Sequence, residues 1–430
     1  MNLKSFGGLT ASGVEVNHPT WISEVPELIN AEPILASGSG RSYGDLALLT
    51  GGRMVSTLGL NKLISFDEES GILECEAGVL LRDIQSIFVR RGWMLAVTPG
   101  TSYVTVGGAI AGDVHGKDHH FAGTFGDHVL GLQLIRSSGE ILDCSNTQNA
   151  SLFRASIAGL GLTGFIASAR IQLKRVAGPF MDTELITYDS LGEFFALSEE
   201  TENSKWQASV SWFDCSTSRA GRGSFNRGLP SERGFEEERA GLGLSIPLPL
   251  PFSLVNKLSL DLFNSAYFAQ QKRQAGVSVQ HYSSFYYPLD GVGNWNRIYG
   301  PKGFLQYQSV VPMIDAEAVT SEMLSIIKTS GQGSFLAVLK TFADRKPAGL
   351  LSFARHGVTL ALDFPNRGPK TADLFAKLDR VVLEAGGTLN PTKDAKMTRD
   401  MFTNGYPQLQ EFLKHRDPAF VSDFSKRVID

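Results

Sequence analysis

Apolar residues recur along this chain in two rhythms, every second position and every third or fourth, and the change of rhythm marks out its elements. A short helix is expected in WISEVPELIN, followed by a strand in PILA that breaks into a glycine-serine turn. Strand-like pieces follow in MVSTL, KLISFD and ILECEAG. Leu80, Leu81, Ile84, Ile87 and Phe88 then mark an amphipathic helix that stops at Gly92. VLGLQLIRSSGEILDC predicts a hairpin turning at Ser137-Ser138-Gly139. SLFRASIAGLGLTGFIASARIQLKRV predicts a short helix, a glycine turn over Gly159–Gly164 and a long strand. Strands and helices are mixed without the helix-opening third glycine and distal acid of a doubly wound dinucleotide fold. Residues 1–176 are therefore expected to form one α+β domain.

After Val176 the pattern changes. WQASVSWFDC alternates as a strand, whereas residues 217–240, rich in glycine and charge, are expected to form a mobile loop. The apolar stretch 241–263 is interrupted by Pro247, Pro249 and Pro251, which forbid a regular helix or central strand there. It is either a buried connector or a surface for a greasy partner. Two similar units come next. FLQYQSVVPM leads into a helix N-capped at Asp315 and then into SFLAVLKTF; VTLALDFP leads into a helix capped at Thr371 and closed at Gly386. Such split β-α-β pieces predict a single antiparallel sheet backed by helices, a second domain over 177–388. Residues 389–430 are polar and helical, and are expected to return to the first domain.

At 430 residues, two cores are expected. A formal charge of −4 gives no electrostatic case for nucleic acid, and three scattered cysteines (Cys75, Cys144, Cys215) match neither a disulfide framework nor a zinc motif. The first residues lack the apolar core of a signal peptide and no run is long enough to span a bilayer, so a cytoplasmic location is expected.

The chemistry gathers in residues 97–128, where glycines crowd around four of the eight histidines. Glycine costs backbone entropy, and the usual return is close approach of exposed N–H groups to something flat or anionic. A cofactor wall is the reading, with His115 directly after GGAIAGDV as its ionisable member. His119, His120 and His128 read as polar loop residues, and no metal is expected because no carboxylate stands at ligand spacing. The turn Gly38-Ser39-Gly40-Arg41-Ser42-Tyr43-Gly44-Asp45 is either an anion-binding nest or a plain surface loop. Gln306 and Gln308 alternate onto one strand face. Lys340 lies in an apolar strand and Lys393 follows a strand end; a buried lysine costs several kcal/mol unless an anion pairs with it, the alternative for Lys340 being a solvent-facing position. Tyr286 and Trp212 add aromatic surface, as core packing or as pocket lining.

The pairing of SGSGRSYGD with PGTSYVTVGGAIAGDVHGKDHH resembles FAD-dependent oxidases and dehydrogenases of the vanillyl-alcohol-oxidase type. HGKDHHFAGTFGDHV, GLTGFI, SWFD, FYYPLD, NWNRIYGPKGFLQYQ, LDFP and TKDAKMT are similar, in collinear order, to the branch acting on polyprenylphosphoryl-β-D-ribose. The resemblance implies a PCMH-type FAD-binding domain with an antiparallel-sheet cap. It implies oxidation of the sugar 2-hydroxyl to a ketone, the first half of an epimerisation completed by a separate NAD(P)H-dependent reductase. The competing expectation is an oxidase of a soluble sugar, alditol or aldonolactone; a flavin-binding scaffold without activity is the non-enzymatic one. By resemblance FAD is held by residues 38–45, by Gly100, Thr105, Val106, Gly107, Gly108, Gly112, Asp113, Val114 and His115, and by Ile166. It is held without a covalent bond, because Arg41 stands where relatives carry the linking histidine. His115, Lys393 and Lys117 are the implied catalytic groups, and Tyr286, Gln306, Gln308, Lys340 and Trp212 the substrate-binding ones. The prenyl tail would meet 241–263, at a membrane surface. Two departures stand out: Ala361 replaces a pocket cysteine that traps nitroaromatic inhibitors, and Asn390 replaces a tyrosine that contacts flavin.

Overall fold

The strand that carries the Gly38–Gly44 turn, Ile34–Ser37, lies in a three-stranded parallel sheet ordered Glu15–Asn17, Arg53–Ser56, Ile34–Ser37. The computed structural model describes residues 1–29, 33–215, 220–234, 244–246 and 253–430. A second sheet is antiparallel, ordered Ile141–Ser145, Val129–Ile135, Phe165–Arg175, Ile72–Glu76, Leu63–Asp67, with Trp93–Leu95 also on Phe165–Arg175. The expected hairpin is there, with Ile135 opposite Ile141. Its inner face packs on the helices Leu81–Phe88 and Val106–Ala111 through Leu73, Ile84, Phe88, Val106 and Ile110, all buried. The first of these helices passes into a short 3-10 turn that stops at Gly92, φ +78, as its glycine predicts.

The second half forms one eight-stranded sheet, ordered Gly276–His281, Phe180–Tyr188, Gly223–Pro230, Ala208–Phe213, Ala337–Phe342, Gly357–Pro365, Phe304–Val311, Thr388–Leu389, with every neighbouring pair antiparallel. The two β-α-β units interleave, Gly357–Pro365 lying between the strands Phe304–Val311 and Ala337–Phe342. Helices Leu191–Glu202, Ala316–Ser330 and Pro369–Glu384 cover one face, over Leu305, Tyr307, Leu339, Leu360, Leu362 and Phe364. The alternate residues point the other way, toward the first half of the chain. The C-terminal residues return there: Ile34 N–H donates to Ala419 O at 2.8 Å, and Arg427 pairs with Asp45 at 2.8 Å.

Four local expectations need correction. Residues 223–230 of the expected loop are a central strand; their glycines make room for rings, since a Cβ on Gly223 would lie 2.4 Å from the Tyr188 hydroxyl and one on Gly228 2.9 Å from Phe285. Its Arg227 is matched in space by Glu184 and Glu200. Part of the apolar stretch is regular, because the helix Lys257–Gln274 starts beyond the prolines, capped by Asn256, which accepts from Ser259 N at 3.1 Å. Pro247, Pro249 and Pro251 lie outside the described residues, as do 216–219 and 235–240 of the expected loop. Asp315 precedes its helix at φ +58 without a side-chain cap. Thr371 sits inside a helix that starts at Pro369, its hydroxyl donating to Pro365 O at 3.0 Å and so tying the helix back to the preceding strand.

Candidate active site

The polar face of the eight-stranded sheet is written in its register. Gln306 pairs with Asp363, Gln308 with Ala361, Ala361 with Val338, Val338 with Trp212, and Lys340 with Thr359. Paired residues share a face, so these side chains face the same way, against the loop that follows the helix Val106–Ala111.

That loop supplies His115. Its Nδ1 lies 2.8 Å from Lys340 Nζ and its Nε2 3.1 Å from Gln308 Nε2. Phe342 and Phe353 wall the imidazole at 4.9 and 5.7 Å between ring centres. Burial, and then the nearby Lys340, hold its pKa well below the ordinary 6.5, so the ring is neutral. Lys340 also donates to Gly116 O at 2.7 Å, and burial lowers its pKa to about 7. Lys393 lies over the Tyr43 ring at 4.0 Å, its pKa lowered to about 8 by burial and opposed by Asp363. Lys117 donates to Phe285 O and lies over that ring at 4.7 Å; burial lowers it to about 8, against the pull of Asp118. With Lys174, whose Nζ is 3.9 Å from Asp118, four lysines thus converge on two buried acids, Asp118 and Asp363, whose own pKa values are raised by burial. Such a site is short of negative charge and favours an anionic ligand.

The other predicted residues fall into groups. Gln306 donates to Asp363 at 2.6 Å, beside the cluster. Tyr286 donates to Asp118 at 2.7 Å and follows Phe285, whose carbonyl accepts from Lys117. Trp212 donates to Phe335 O at 3.1 Å and packs on Tyr267, along the sheet from His115. Gly38, Ser39 and Tyr43 bring the first turn onto the site. A Cβ on Gly38 would meet Thr105 Oγ1 at 2.3 Å, Ser39 donates to Tyr103 O, and Tyr43 N–H donates to Thr392 O at 3.0 Å. Ser42 O accepts from Phe6 N. Gly44 meets the segment after Lys393, where a Cβ would lie 1.4 Å from Asp394 O. Asp45 is instead engaged by Arg427.

In the helix Val106–Ala111 the glycine reading needs revision. The N–H groups of Val106, Gly107 and Gly108 donate to Val79 O, Ala77 O and the N-cap Thr105 hydroxyl. The glycines here buy close packing, against Ala77 at Gly107 and against Thr392 at Gly112. Asp113, at φ +38, accepts from Gly126 N and Ser352 Oγ and so braces the loop; burial raises its pKa to about 6. Val114 N–H donates to Ala109 O, and Ile166 is in the core of the second sheet. His119, expected in a polar loop, is buried against Phe342 at 4.5 Å. Three residues of the cluster escaped the sequence reading: Asp118, Thr359 and Asp363. The last two were legible, since alternation in VTLALDFP puts them with Ala361 on the face of Gln308.

The donor set fits FAD. The Arg41 guanidinium lies over Phe6 and Tyr103 at 5.5 and 5.1 Å, and its buried Nε has no hydrogen-bond partner. A Cβ built on Gly40, next to Arg41 in the chain, or on Gly100 meets nothing within 4 Å, so both turns border open space. Among the described residues no cluster of His, Cys, Asp and Glu could hold a metal.

Residues 14–145 match the FAD binding domain family. The chain is 35% identical over 415 residues to decaprenylphosphoryl-beta-D-ribose oxidase of Mycolicibacterium smegmatis, covering 92% of this chain and 89% of the other. It is 28% identical to an uncharacterised protein of Streptomyces coelicolor, over 81% of this chain and all of that one. Similarity to mouse L-gulonolactone oxidase is 32% but spans 36% of each chain.

Proposed function

Because the chain belongs to the decaprenylphosphoryl-β-D-ribose oxidase family of FAD-dependent oxidoreductases, we propose that it oxidises the 2-hydroxyl of a polyprenylphosphoryl-β-D-ribose to the 2-keto sugar. The enzyme is an FAD-dependent alcohol oxidoreductase. The observation that carries the substrate class is the surplus of lysines over acids: besides the amine of Lys340, three lysines, Lys117, Lys174 and Lys393, stand near two buried carboxyls, Asp118 and Asp363. A sugar phosphate supplies the missing negative charge; a neutral alditol or lactone does not.

FAD would be held by the Gly38–Gly44 turn, Arg41, Gly100 and the loop leading to His115. Bound FAD supplies the acceptor for the hydride that leaves the sugar carbon. The chain's own groups do the rest. Lys117 and Lys393, each near an acid that favours its charged form, hold the substrate phosphate and a positive potential beside the flavin. His115 and Lys340 stand ready for the hydroxyl proton, which must leave as the hydride does. Gln306 would orient a sugar hydroxyl, while Gln308 holds the imidazole of His115. The packed face of Phe342 and Phe353 limits water around the imidazole.

A separate NAD(P)H-dependent reductase would then reduce the ketone from the other face. The lipid-linked substrate would bring the enzyme to a membrane surface as a peripheral protein. No described helix is long and apolar enough to cross a membrane. The support for surface attachment is a set of exposed residues, Leu254 just before the helix Lys257–Gln274 and Leu258, Leu262 and Phe263 in its first turns. Anaerobic reduction of the flavin by prenylphosphoryl-ribose, compared with ribitol and aldonolactones, tests the reading. Equal or faster bleaching by the uncharged polyols would favour the soluble-sugar alternative.

A further inference from the structure

Asn390 stands in the second departure from the family pattern, and its hydrogen bonds run in one direction only. The backbone N–H of Thr392 can only donate, and it does so to Asn390 Oδ1 at 3.0 Å, with the Thr392 hydroxyl on the same oxygen at 2.8 Å. The amide is thereby oriented: Nδ2 donates to Gln308 Oε1 at 3.0 Å. Gln308 is oriented in turn, so its Nε2 is the group facing His115 Nε2 at 3.1 Å and the Thr359 hydroxyl at 3.2 Å. His115 Nε2 must then accept. A neutral imidazole carries one proton, which leaves it on Nδ1, 2.8 Å from Lys340 Nζ. That nitrogen must receive an N–H, so it needs a lone pair, while one of its own protons serves Gly116 O at 2.7 Å.

We propose that Asn390, anchored by the Thr392 N–H, is a positioning residue that sets the proton of His115 on Nδ1 and thereby keeps Lys340 as an uncharged amine, the form able to take the proton of a substrate hydroxyl. Protonating Lys340 would set an ammonium against the imidazole N–H, donor against donor. The surroundings push the same way. Burial and the cations of Lys117 and Lys393 disfavour the charged amine, Asp118 alone opposes them, and buried His119 brings no negative charge. The role given to Lys340 rests on the proposed oxidation; the tautomer of His115 does not.

The test is nitrogen NMR of the FAD-loaded protein labelled with 15N-histidine, with His115 assigned by its loss in His115→Gln. The expected spectrum has Nδ1 protonated and Nε2 bare. Asn390→Asp replaces the donor by an acceptor, so Gln308 turns over, the proton moves to Nε2, and Lys340 becomes charged. The acid limb of the pH profile for anaerobic flavin reduction should then rise by about one pH unit or more. Asn390→Ala, which adds no charge, should give a mixture of tautomers and a smaller rise. A wild-type His115 protonated on Nε2 overturns the proposal without touching the oxidase reading. So does a pair of variants that leave both the spectrum and the pH limb where they were.

Discussion

The Nζ of Lys340 and the Nδ1 of His115 stand 2.8 Å apart, two nitrogens from opposite halves of the chain within hydrogen-bond distance. The contact makes the site a product of both units. Neither the glycine-rich loop nor the sheet face could assemble it alone.

The buried lysines give stability a pH dependence. Lys117, Lys340 and Lys393 have folded pKa values of about 8, about 7 and about 8, against an ordinary 10.5. Between those values the unfolded chain binds more protons than the folded one, so stability rises with pH from about 7 toward 10.5, and the full penalty applies below about 7. Lys340→Met should flatten that rise by up to ~1.4 kcal/mol per pH unit, read from urea midpoints across the window. A slope identical to wild type would contradict a neutral Lys340.

Gly44 and Gly40 should respond differently to alanine. At Gly44 a Cβ would strike the Asp394 carbonyl at 1.4 Å, and backbone cannot step aside cheaply. Gly44→Ala should cost about 3 kcal/mol and loosen FAD, because it parts the turn from the segment carrying Lys393. Gly40→Ala meets open space and pays only for φ +64, about 1 kcal/mol. Thermal melts and flavin content of the two purified variants distinguish them.

Arg41 should leave FAD free to dissociate on denaturation. Acid precipitation is expected to give a white pellet and a yellow supernatant. Arg41→Ala should weaken FAD binding about tenfold or more, by loss of a charge-assisted contact. Flavin retained in the pellet would mean a covalent link elsewhere.

Ala361 lies half-buried between Val338 and Gln308, where the otherwise covered strand Gly357–Pro365 opens. The three native cysteines are buried. A nitrosoarene should therefore leave the folded wild type unlabelled and should modify Ala361→Cys, with mass spectrometry locating the adduct. Labelling of the wild type to the same extent would show that Ala361 does not mark the accessible part of the pocket.

Leu258 and Leu262, 69% and 65% exposed, should matter at a bilayer and nowhere else. Leu258→Ser with Leu262→Ser should reduce flotation with anionic vesicles several-fold while leaving the melting temperature unchanged. Undiminished flotation would remove this helix from the attachment surface.

Periodicity alone determined most elements. The hairpin at Ser137–Gly139, the helix stop at Gly92 and the split β-α-β units were all legible, because each depends on local backbone preference and on which face is apolar. It also placed Gln306 and Gln308 on one strand face. What it could not supply was the partner of each polar side chain. The strand Gly223–Pro230 looked like a loop, since its glycines answer to the rings of Tyr188 and Phe285 rather than to any turn. Asp45 joined Arg427 from the far end of the chain, and in the Val106–Ala111 helix Gly107 packs on Ala77 and Gly108 on Thr105. The proton between His115 and Lys340 was the least visible of all. Its position follows from a run of oriented amides reaching back to Thr392, and direction along such a run exists only once the donors and acceptors have been brought face to face.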